Sequence, residues 1–251
     1  MTADDRRLAI LNLIKTNGSV RVAELSVLFS TSEVTIRSDL ADMENKGLLT
    51  RVHGGAISSY KPYYNMSFNQ RMSTNQDEKE IIAKKIADMI EDNDTIMLNS
   101  GSTTLLVFRA LPQDMNLNII TNSISIALEG AENPNYNIVL LGGHINLKYQ
   151  FTFGDDAIRQ LKSYHANKLI LSVDGIDPEY GFSTYYDKEA EIDRVMIENS
   201  SMSIVAADHT KFNHCAFTKI SDLSAADYLV TDTSVPEKLK AKISKNFIKI
   251  R

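Results

Sequence analysis

Asn99-Ser100-Gly101-Ser102-Thr103-Thr104 lies between the apolar run Thr95-Ile96-Met97-Leu98 and the helical pattern Leu105-Leu106-Val107-Phe108. A strand that stops at such a turn and opens into a helix presents backbone N–H groups and the positive end of the helix dipole. That setting suits a phosphate or another anion. Turns of this kind are common in α/β proteins, so alone the stretch reads equally as an ordinary capped turn. What surrounds it decides.

After this turn the chain alternates short β-rich runs with helical patterns. Strands are expected over 95–98, 118–121, 137–141, 168–172, 203–206, 228–231 and 247–250. Helices are expected over 102–110, 123–132, 155–164, 187–199 and 234–244. Such alternation predicts an α/β domain with a mostly parallel sheet covered on both faces, spanning 78–251 and starting with a helix over 78–91. Ligands of these sheets bind beyond the carboxyl ends of the strands. Polar residues and glycines collect there: Asn99 to Thr104, Thr121-Asn122-Ser123, Gly142-Gly143-His144, Asp174-Gly175-Ile176-Asp177 and Ala207-Asp208-His209-Thr210-Lys211. Turns are polar anyway, but five such ends together suggest a pocket for a hydroxyl-rich anion. His144 reads as a loop residue rather than a ligand.

Residues 1–57 have a different pattern. Leu8, Leu11 and Ile14, flanked by Ile10 and Leu13, recur at helical spacing, and Asn17-Gly18 ends that helix. A second helix turns Val22, Leu25, Leu28 and Phe29 inward. Ser32 caps a third, over 33–46, with Val34, Leu40 and Met43 as core contacts, and Gly47 closes it. A strand over 48–52 and the turn His53-Gly54-Gly55-Ala56 follow. Three helices with a terminal strand and turn predict an all-α winged helix-turn-helix whose third helix enters the major groove. Ser32, Glu33, Thr35, Arg37 and Ser38 are positioned to reach bases or phosphates. Arg37 is the best base reader, because a guanidinium can bind guanine O6 and N7 together. Arg51 and His53 would meet phosphate or the minor groove. The competing reading pairs Arg37 with Glu33 or Asp42 on a solvated surface. Residues 58–77 carry no sustained period and read as a linker between domains.

Bulk composition narrows the function classes. A formal charge of −5 at pH 7 over 251 residues argues against a basic field for nucleic acid. Residues 1–57 hold seven Lys/Arg and seven Asp/Glu, so any DNA binding there must use a few placed cations. No run approaches the roughly 20 apolar residues of a membrane span, and no leader is evident. One cysteine, Cys215, allows no intrachain disulfide, which favours a cytoplasmic location. It stands beside His214, but adjacent residues on an extended chain point apart, so it reads as a small buried or half-buried side chain rather than a nucleophile. Zinc-ligand spacing is absent, and neither metal nor cofactor is expected.

Several runs in the first segment resemble the DNA-binding domain of DeoR-family bacterial transcription regulators: Gly18-Ser19-Val20, Ala23-Glu24-Leu25, Val34 to Leu40, Leu49-Thr50-Arg51 and His53 to Ala56. Ser38 departs from the second arginine many members carry there. Residues 78–232 resemble the family's effector domain through Ser100-Gly101-Ser102-Thr103-Thr104, Thr121-Asn122-Ser123, Leu141-Gly142-Gly143, Phe153-Gly154, Asp174 to Asp177, Gly181 to Thr184, Glu189-Ala190-Glu191 and Asp208 to Phe212. Asn99 departs from a common aspartate. The resemblance implies a fold like ribose-5-phosphate isomerase and CoA-transferases. It also implies a homo-oligomeric repressor, dimer or tetramer, of a sugar operon, with amino-sugar or hexose use the nearest matches, that leaves double-stranded operator DNA when a sugar phosphate binds. On that basis Ser100 to Thr104 would hold phosphate with Lys211 as charged partner. Asp174, Asp177 and Glu189 would face sugar hydroxyls, while Asn99, Thr121, Asn122 and Gly143 would complete the wall. Residues 234–244 and 247–250 are candidates for the subunit contact. The rival is an isomerase-like enzyme using Glu189, Asp174, Asp177 and Lys211 as acid–base groups, although the lysine-plus-glycine loop of the isomerases is missing.

Overall fold

The computed structural model describes residues 2–17, 19–45, 48–52, 54–58, 66–246 and 248–251. The chain divides into two compact units, Met1–Met66 and Ser67–Arg251. Gly18, Gly47 and His53, read from sequence as helix ends and a wing residue, lie outside the described residues.

In the first unit α1 (Ala3–Asn17), α2 (Val22–Leu28) and α3 (Glu33–Asn45) are joined by a sheet of β1 (Ser19–Arg21), β2 (Leu49–Val52) and β3 (Gly55–Ser58). The strand order is β1-β3-β2, and both pairings are antiparallel. The unit is therefore not all-α. The glycine turn leads into β3, which pairs with both other strands and completes the wing.

Ile10, Ile14, Val22, Leu25, Ile36, Leu40, Met43 and Leu49 form its core. The expected inward Val34 is instead 73% exposed, and Leu8 and Leu28 are also exposed. On α3 the buried row is Ile36, Leu40 and Met43, spaced four and three apart. Val34, two positions before Ile36, falls on the opposite side of the helix. Asp39 shares the buried face of α3, and two guanidiniums from α1 meet it: Arg6 Nε at 2.6 Å and Arg7 Nε at 2.9 Å. A buried carboxylate needs such compensation, and here it ties the third helix to the first.

The second unit begins before the expected boundary at residue 78. Of the stretch read as linker, 59–65 lies outside the described residues, whereas α4 (Phe68–Ser73) and the start of α5 (Gln76–Ala87) are regular helix. Ser67 and Gln70 form a reciprocal capping box at the start of α4. The pattern was there to read: a serine three residues before a glutamine.

The main sheet contains β4 (Thr95–Leu98), β5 (Leu117–Thr121), β6 (Tyr136–Leu140), β9 (Lys168–Ser172), β12 (Ser203–Ala206), β14 (Tyr228–Val230) and β15 (Lys249–Ile250). Every pairing is parallel, in the order β15-β14-β12-β9-β4-β5-β6. Between these strands run α6 (Ser102–Ala110), α7 (Ile124–Gly130), α8 (Asp155–Leu161), α9 (Asp187–Glu198) and α10 (Glu237–Ser244). Strand residues alternate between two cores: Ile96, Leu98, Ile119, Ile170 and Ile204 face one, while Met97, Ile120, Leu169, Leu171 and Val205 face the other. Period-two burial on both faces explains why these strands read as unbroken apolar runs.

Two smaller pieces were not expected. One is the antiparallel hairpin of β7 (His144–Asn146) and β8 (Phe151–Phe153). The other is a sheet of β10 (Gly175–Asp177), β11 (Gly181–Thr184) and β13 (Thr218–Ser221).

Asp39→Ala strands two guanidiniums beside a buried gap. It should destabilise the first unit by about 3 kcal/mol. In urea unfolding followed by far-ultraviolet circular dichroism, the earliest transition should move to lower denaturant while later unfolding stays in place.

Candidate functional site

The sheet fixes the location of the site. From β4 the chain moves outward through β5 and β6, then crosses back to place β9 on the other side of β4. Strand order thus reverses between β4 and β9, and sheets of this class take ligands beyond the carboxyl ends of the strands at such a reversal. The Asn99–Thr104 turn leaves β4 at this point, and Asp174 follows β9 immediately.

Asn99 is wholly buried. Its Oδ1 accepts from the Ser172 N–H at 2.9 Å and hydroxyl at 3.1 Å, and its Nδ2 donates to Ser172 O at 3.0 Å and to Asp193 Oδ1 at 3.1 Å. The side chain therefore ties β4 to β9 and α9. An aspartate in the same place would set two buried carboxylates against each other. Gly101 comes close to β9 as well: a Cβ there would stand 1.9 Å from Ser172 Oγ. Gly101 is the extended cap of α6, without a side-chain bond to the helix start. The first N–H groups of α6, from Ser102 to Thr104, have no acceptor within the helix, a helix start of the kind that can receive an anion. Thr104 Oγ1 bonds Asn99 O at 2.8 Å and Gly101 O at 2.9 Å, which holds the turn.

A carboxylate network adjoins this helix start. Ser100 Oγ donates to Glu189 Oε1 at 3.2 Å, and Thr184 Oγ1 lies 2.7 Å from Glu189 Oε2 and 3.0 Å from Asp174 Oδ2. The Tyr185 N–H donates to Asp174 Oδ2 at 3.1 Å, and Arg71 Nη1 meets Asp174 Oδ1 at 3.2 Å. Burial first, and the Asp174 charge second, push the Glu189 carboxyl up to about 7. Burial and then Glu189 raise Asp193 well above the usual carboxylate range, against the donating Asn99 amide.

A second cluster continues from the first. Tyr185 Oη and His214 Nε2 are 2.7 Å apart, and burial followed by the Lys211 charge holds His214 down at about 4. Lys211 also neighbours Asp208. Burial raises the Asp208 carboxyl, but Lys211, the Thr210 donors and Lys79 outweigh it and leave it below its ordinary value. Lys79 itself is fully buried and lowered to about 8, chiefly by burial.

Of the expected effector residues, the structure joins Ser100, Asp174 and Glu189 in one hydrogen-bonded network beside the Gly101–Thr104 turn, and places Lys211 in the adjoining cluster. Asp177 is not with them: its Oδ1 accepts from the N–H groups of Glu179 and Tyr180, both at 2.8 Å, and caps the β10–β11 turn. Thr121 and Asn122 are wholly buried rather than lining a wall. Thr121 Oγ1 donates to Leu98 O at 2.7 Å, tying β5 to β4, and Asn122 Nδ2 reaches Thr152 O at 3.3 Å, holding the β7–β8 hairpin. Gly143 has a steric reason instead: at φ +148 its Cα lies so close to β8 that a Cβ would stand 2.4 Å from Phe153 O. Cys215 is exposed, not buried.

Arg71, Thr184, Tyr185 and Asp193 also belong to this network and were not singled out from the sequence. Arg71 lay in the supposed linker, and Asp193 looked like one more polar position on a helix. A cleft of about 310 Å³ lined by Met202, Asp227, Tyr228, Asn246 and Lys249 lies at the other end of the sheet, at the start of β12 and β14.

On α3, Ser32, Glu33, Arg37 and Ser38 are exposed, and Thr35 is half-buried. The Thr35 N–H donates to Ser32 Oγ at 3.1 Å, so Ser32 is the cap expected. Arg37 Nη2 pairs with Glu33 Oε2 at 2.6 Å, and Arg51 Nε with Glu44 Oε2 at 2.8 Å. The paired alternative for Arg37 is thus the one the free protein adopts, through Glu33; Asp42 is taken by Arg7 at 2.6 Å. Such exposed pairs are worth under about 1 kcal/mol and yield readily to a phosphate or base.

A family model described as the DeoR C-terminal sensor domain matches residues 74–233, and one described as the DeoR-like helix-turn-helix domain matches residues 6–61. A protein of Escherichia coli O157:H7 named as an aga operon transcriptional repressor is 34% identical over 92% of this chain and 87% of its own length. The transcriptional repressor GlcR of Bacillus subtilis is 30% identical over 92% and 89%. The glycerol-3-phosphate regulon repressor of Escherichia coli K12 is 29% identical over 100% and 99%. Among solved structures, ribose 5-phosphate isomerase A of Methanocaldococcus jannaschii aligns over 55% of each chain at 17% identity with a TM-score of 0.42. No helix among the described residues is long and apolar enough to cross a membrane, and no metal-binding group of acids, histidines and cysteine occurs among them.

The raised Glu189 has a consequence for stability. A carboxyl whose folded value exceeds its unfolded value stabilises fully below the unfolded value, near 4.5, and that contribution is lost as pH rises through about 7. Glu189→Gln should remove this loss. Between pH 5 and pH 8 the melting temperature of the variant should fall less than that of the parent, a difference of about 1–2 kcal/mol in stability.

Proposed function

The chain belongs to the DeoR family, and from that premise we propose that it is a DNA-binding transcriptional repressor of a carbohydrate operon, released from its operator by a sugar phosphate. The observation that carries the reading is the pairing, in one chain, of a helix with an exposed polar face, α3, and a sheet switch point at which a helix starts. Neither module alone explains the other.

In this reading α3 lies in the major groove. Arg37 leaves Glu33 for a guanine, while Ser32, Glu33, Thr35 and Ser38 contact neighbouring bases or phosphates. Arg51, with His53 beyond it, meets the backbone. With no net charge over residues 1–57, affinity depends on these placed contacts and on two copies reading two half-sites. The protein thus works as a homo-oligomer, a dimer or tetramer, in the cytoplasm, where operator DNA and phosphorylated sugars meet.

The effector phosphate sits on the N–H groups of Ser102 to Thr104, with Gly101 allowing close approach and the Lys211 cluster supplying positive charge. Sugar hydroxyls donate to Asp174 and Glu189. No cofactor is required, because nothing is transformed. The isomerase alternative is not favoured: Asp177, one of its acid–base groups, is spent on a turn, and the relatives are regulators.

Arg37→Ala should weaken binding to the cognate operator by about 10- to 100-fold and relax its sequence preference, measured by fluorescence anisotropy against matched and scrambled duplexes. Melting curves with a panel of hexose and hexosamine 6-phosphates should rise for at least one member, because a ligand that binds only the folded state stabilises it. Ser102→Ala with Thr103→Ala should reduce that rise and leave operator binding in the absence of sugar phosphate unchanged.

A further inference from the structure

The element by which the chain enters its second unit is also part of the candidate site. Helix α4 opens at Ser67, its Phe68 N–H donates to Lys148 O of the β7–β8 hairpin at 3.2 Å, and it packs along α6, whose first turn is the helix start at the switch point. Arg71, near the end of α4, turns its guanidinium to Asp174, and both side chains are nearly buried, at 12% and 8% exposure. The guanidinium also lies 4.5 Å over the ring of Tyr149, which meets Tyr186 edge-on at 4.8 Å. From the other side, the buried Lys79 ammonium donates to the carbonyls of Arg71 and Thr74, which fixes the backbone at the end of α4.

Arg71 is therefore a cation held inside a group of carboxylates. Asp174, Glu189 and Asp193 follow one another through Thr184, Ser100 and Asn99, and Arg71 is the guanidinium that touches them at Asp174. Asp174 does not depend on Arg71 alone. Its other oxygen keeps the Thr184 hydroxyl and the Tyr185 N–H. The guanidinium can thus exchange acceptors without leaving a bare buried carboxylate, and its planar fork matches a phosphate monoester at two points.

We propose that Arg71 is a direct ligand of the effector's phosphate, taken from Asp174 when the effector binds, so that the site is read at the first helix following residues 59–66. This rests on the sugar-phosphate reading above and adds to it both a residue and a direction of signalling. A ligand shifts an equilibrium only through contacts it makes in one state and not in the other, and the exchange at Arg71 is such a contact. The stack on Tyr149 keeps the fork oriented during the exchange.

The test uses the full chain with the hexose and hexosamine 6-phosphates of the panel above. For the member that most raises the melting temperature of the parent, Arg71→Lys should weaken affinity by about tenfold, and Arg71→Gln by about 100-fold, in calorimetric titrations. In hydrogen–deuterium exchange, residues 67–79 should change protection on adding that sugar phosphate to the parent and not to Arg71→Gln. A folded Arg71→Gln that binds as tightly as the parent overturns the proposal. If Arg71→Gln does not fold, Arg71→Lys with parental affinity overturns it equally. If no member of the panel stabilises the parent, the sugar-phosphate reading itself fails, and the role of Arg71 falls with it.

Discussion

The Asn99 side chain closes the switch point of the sheet, and the rest of the site depends on it. Strands on either side of a reversal diverge towards helices on opposite faces, so their carboxyl ends separate. Asn99 joins the two with three bonds to Ser172 on β9 and one to Asp193 on α9. With β4 and β9 held there, Gly101 can approach Ser172 more closely than any residue with a Cβ, and α6 starts directly above the gap. Thr121, bonded to Leu98 O, extends the same tie to β5. The polar residues at these strand ends shape the site from inside as much as they line it.

That construction brings several acids together in a poorly solvated place. Burial of a carboxylate costs several kcal/mol unless donors or cations surround it. The solution here is shared hydroxyls, amide donors and one guanidinium, and burial pushes Glu189 and Asp193 above the usual carboxylate range. A carboxyl near 7 can donate as well as accept, which tolerates a neighbouring phosphate better than a fixed negative charge would. The adjoining cluster uses opposite chemistry: buried Lys79 and Lys211 are balanced by Asp208, and His214 is kept neutral. Acids on one side and cations on the other thus bring groups of both signs together from α5, α9 and the end of β12.

The long-range order of the fold was legible in the sequence wherever burial has a simple period. Each main-sheet strand appeared as an apolar run because both of its faces are covered, and α6, α8 and α9 appeared at or near their true limits. Short antiparallel pieces such as β10, β11 and β13 did not, because three or four residues carry too little pattern and their pairing is decided by distant partners. Ser100 and Asp174 drew notice as a hydroxyl and an acid at strand ends, whereas Glu189, on helix α9, was singled out only through the family resemblance; the three lie in one hydrogen-bonded network. Asn99, Thr121 and Asn122, noticed at the same strand ends, bond neighbouring strands and the β7–β8 hairpin. A polar side chain at a strand end either faces the ligand or bonds the next strand, and only the register decides which. Arg71 was missed because aperiodic sequence was taken for linker, although the Ser67–Gln70 capping box marks a helix start.

Two arginines show how differently the units are poised. Arg37 rests on Glu33 in full view of solvent, a pair that costs little to break, so the recognition helix is ready for DNA without any preparatory event. Asp39 holds that helix from its buried side and leaves the exposed face unburdened. Arg71 rests on Asp174 nearly out of water, where exchanging one acceptor for another requires a ligand that satisfies the fork at least as well. The first pair lies open to any competing anion, and the second yields only to one that replaces a nearly buried acceptor.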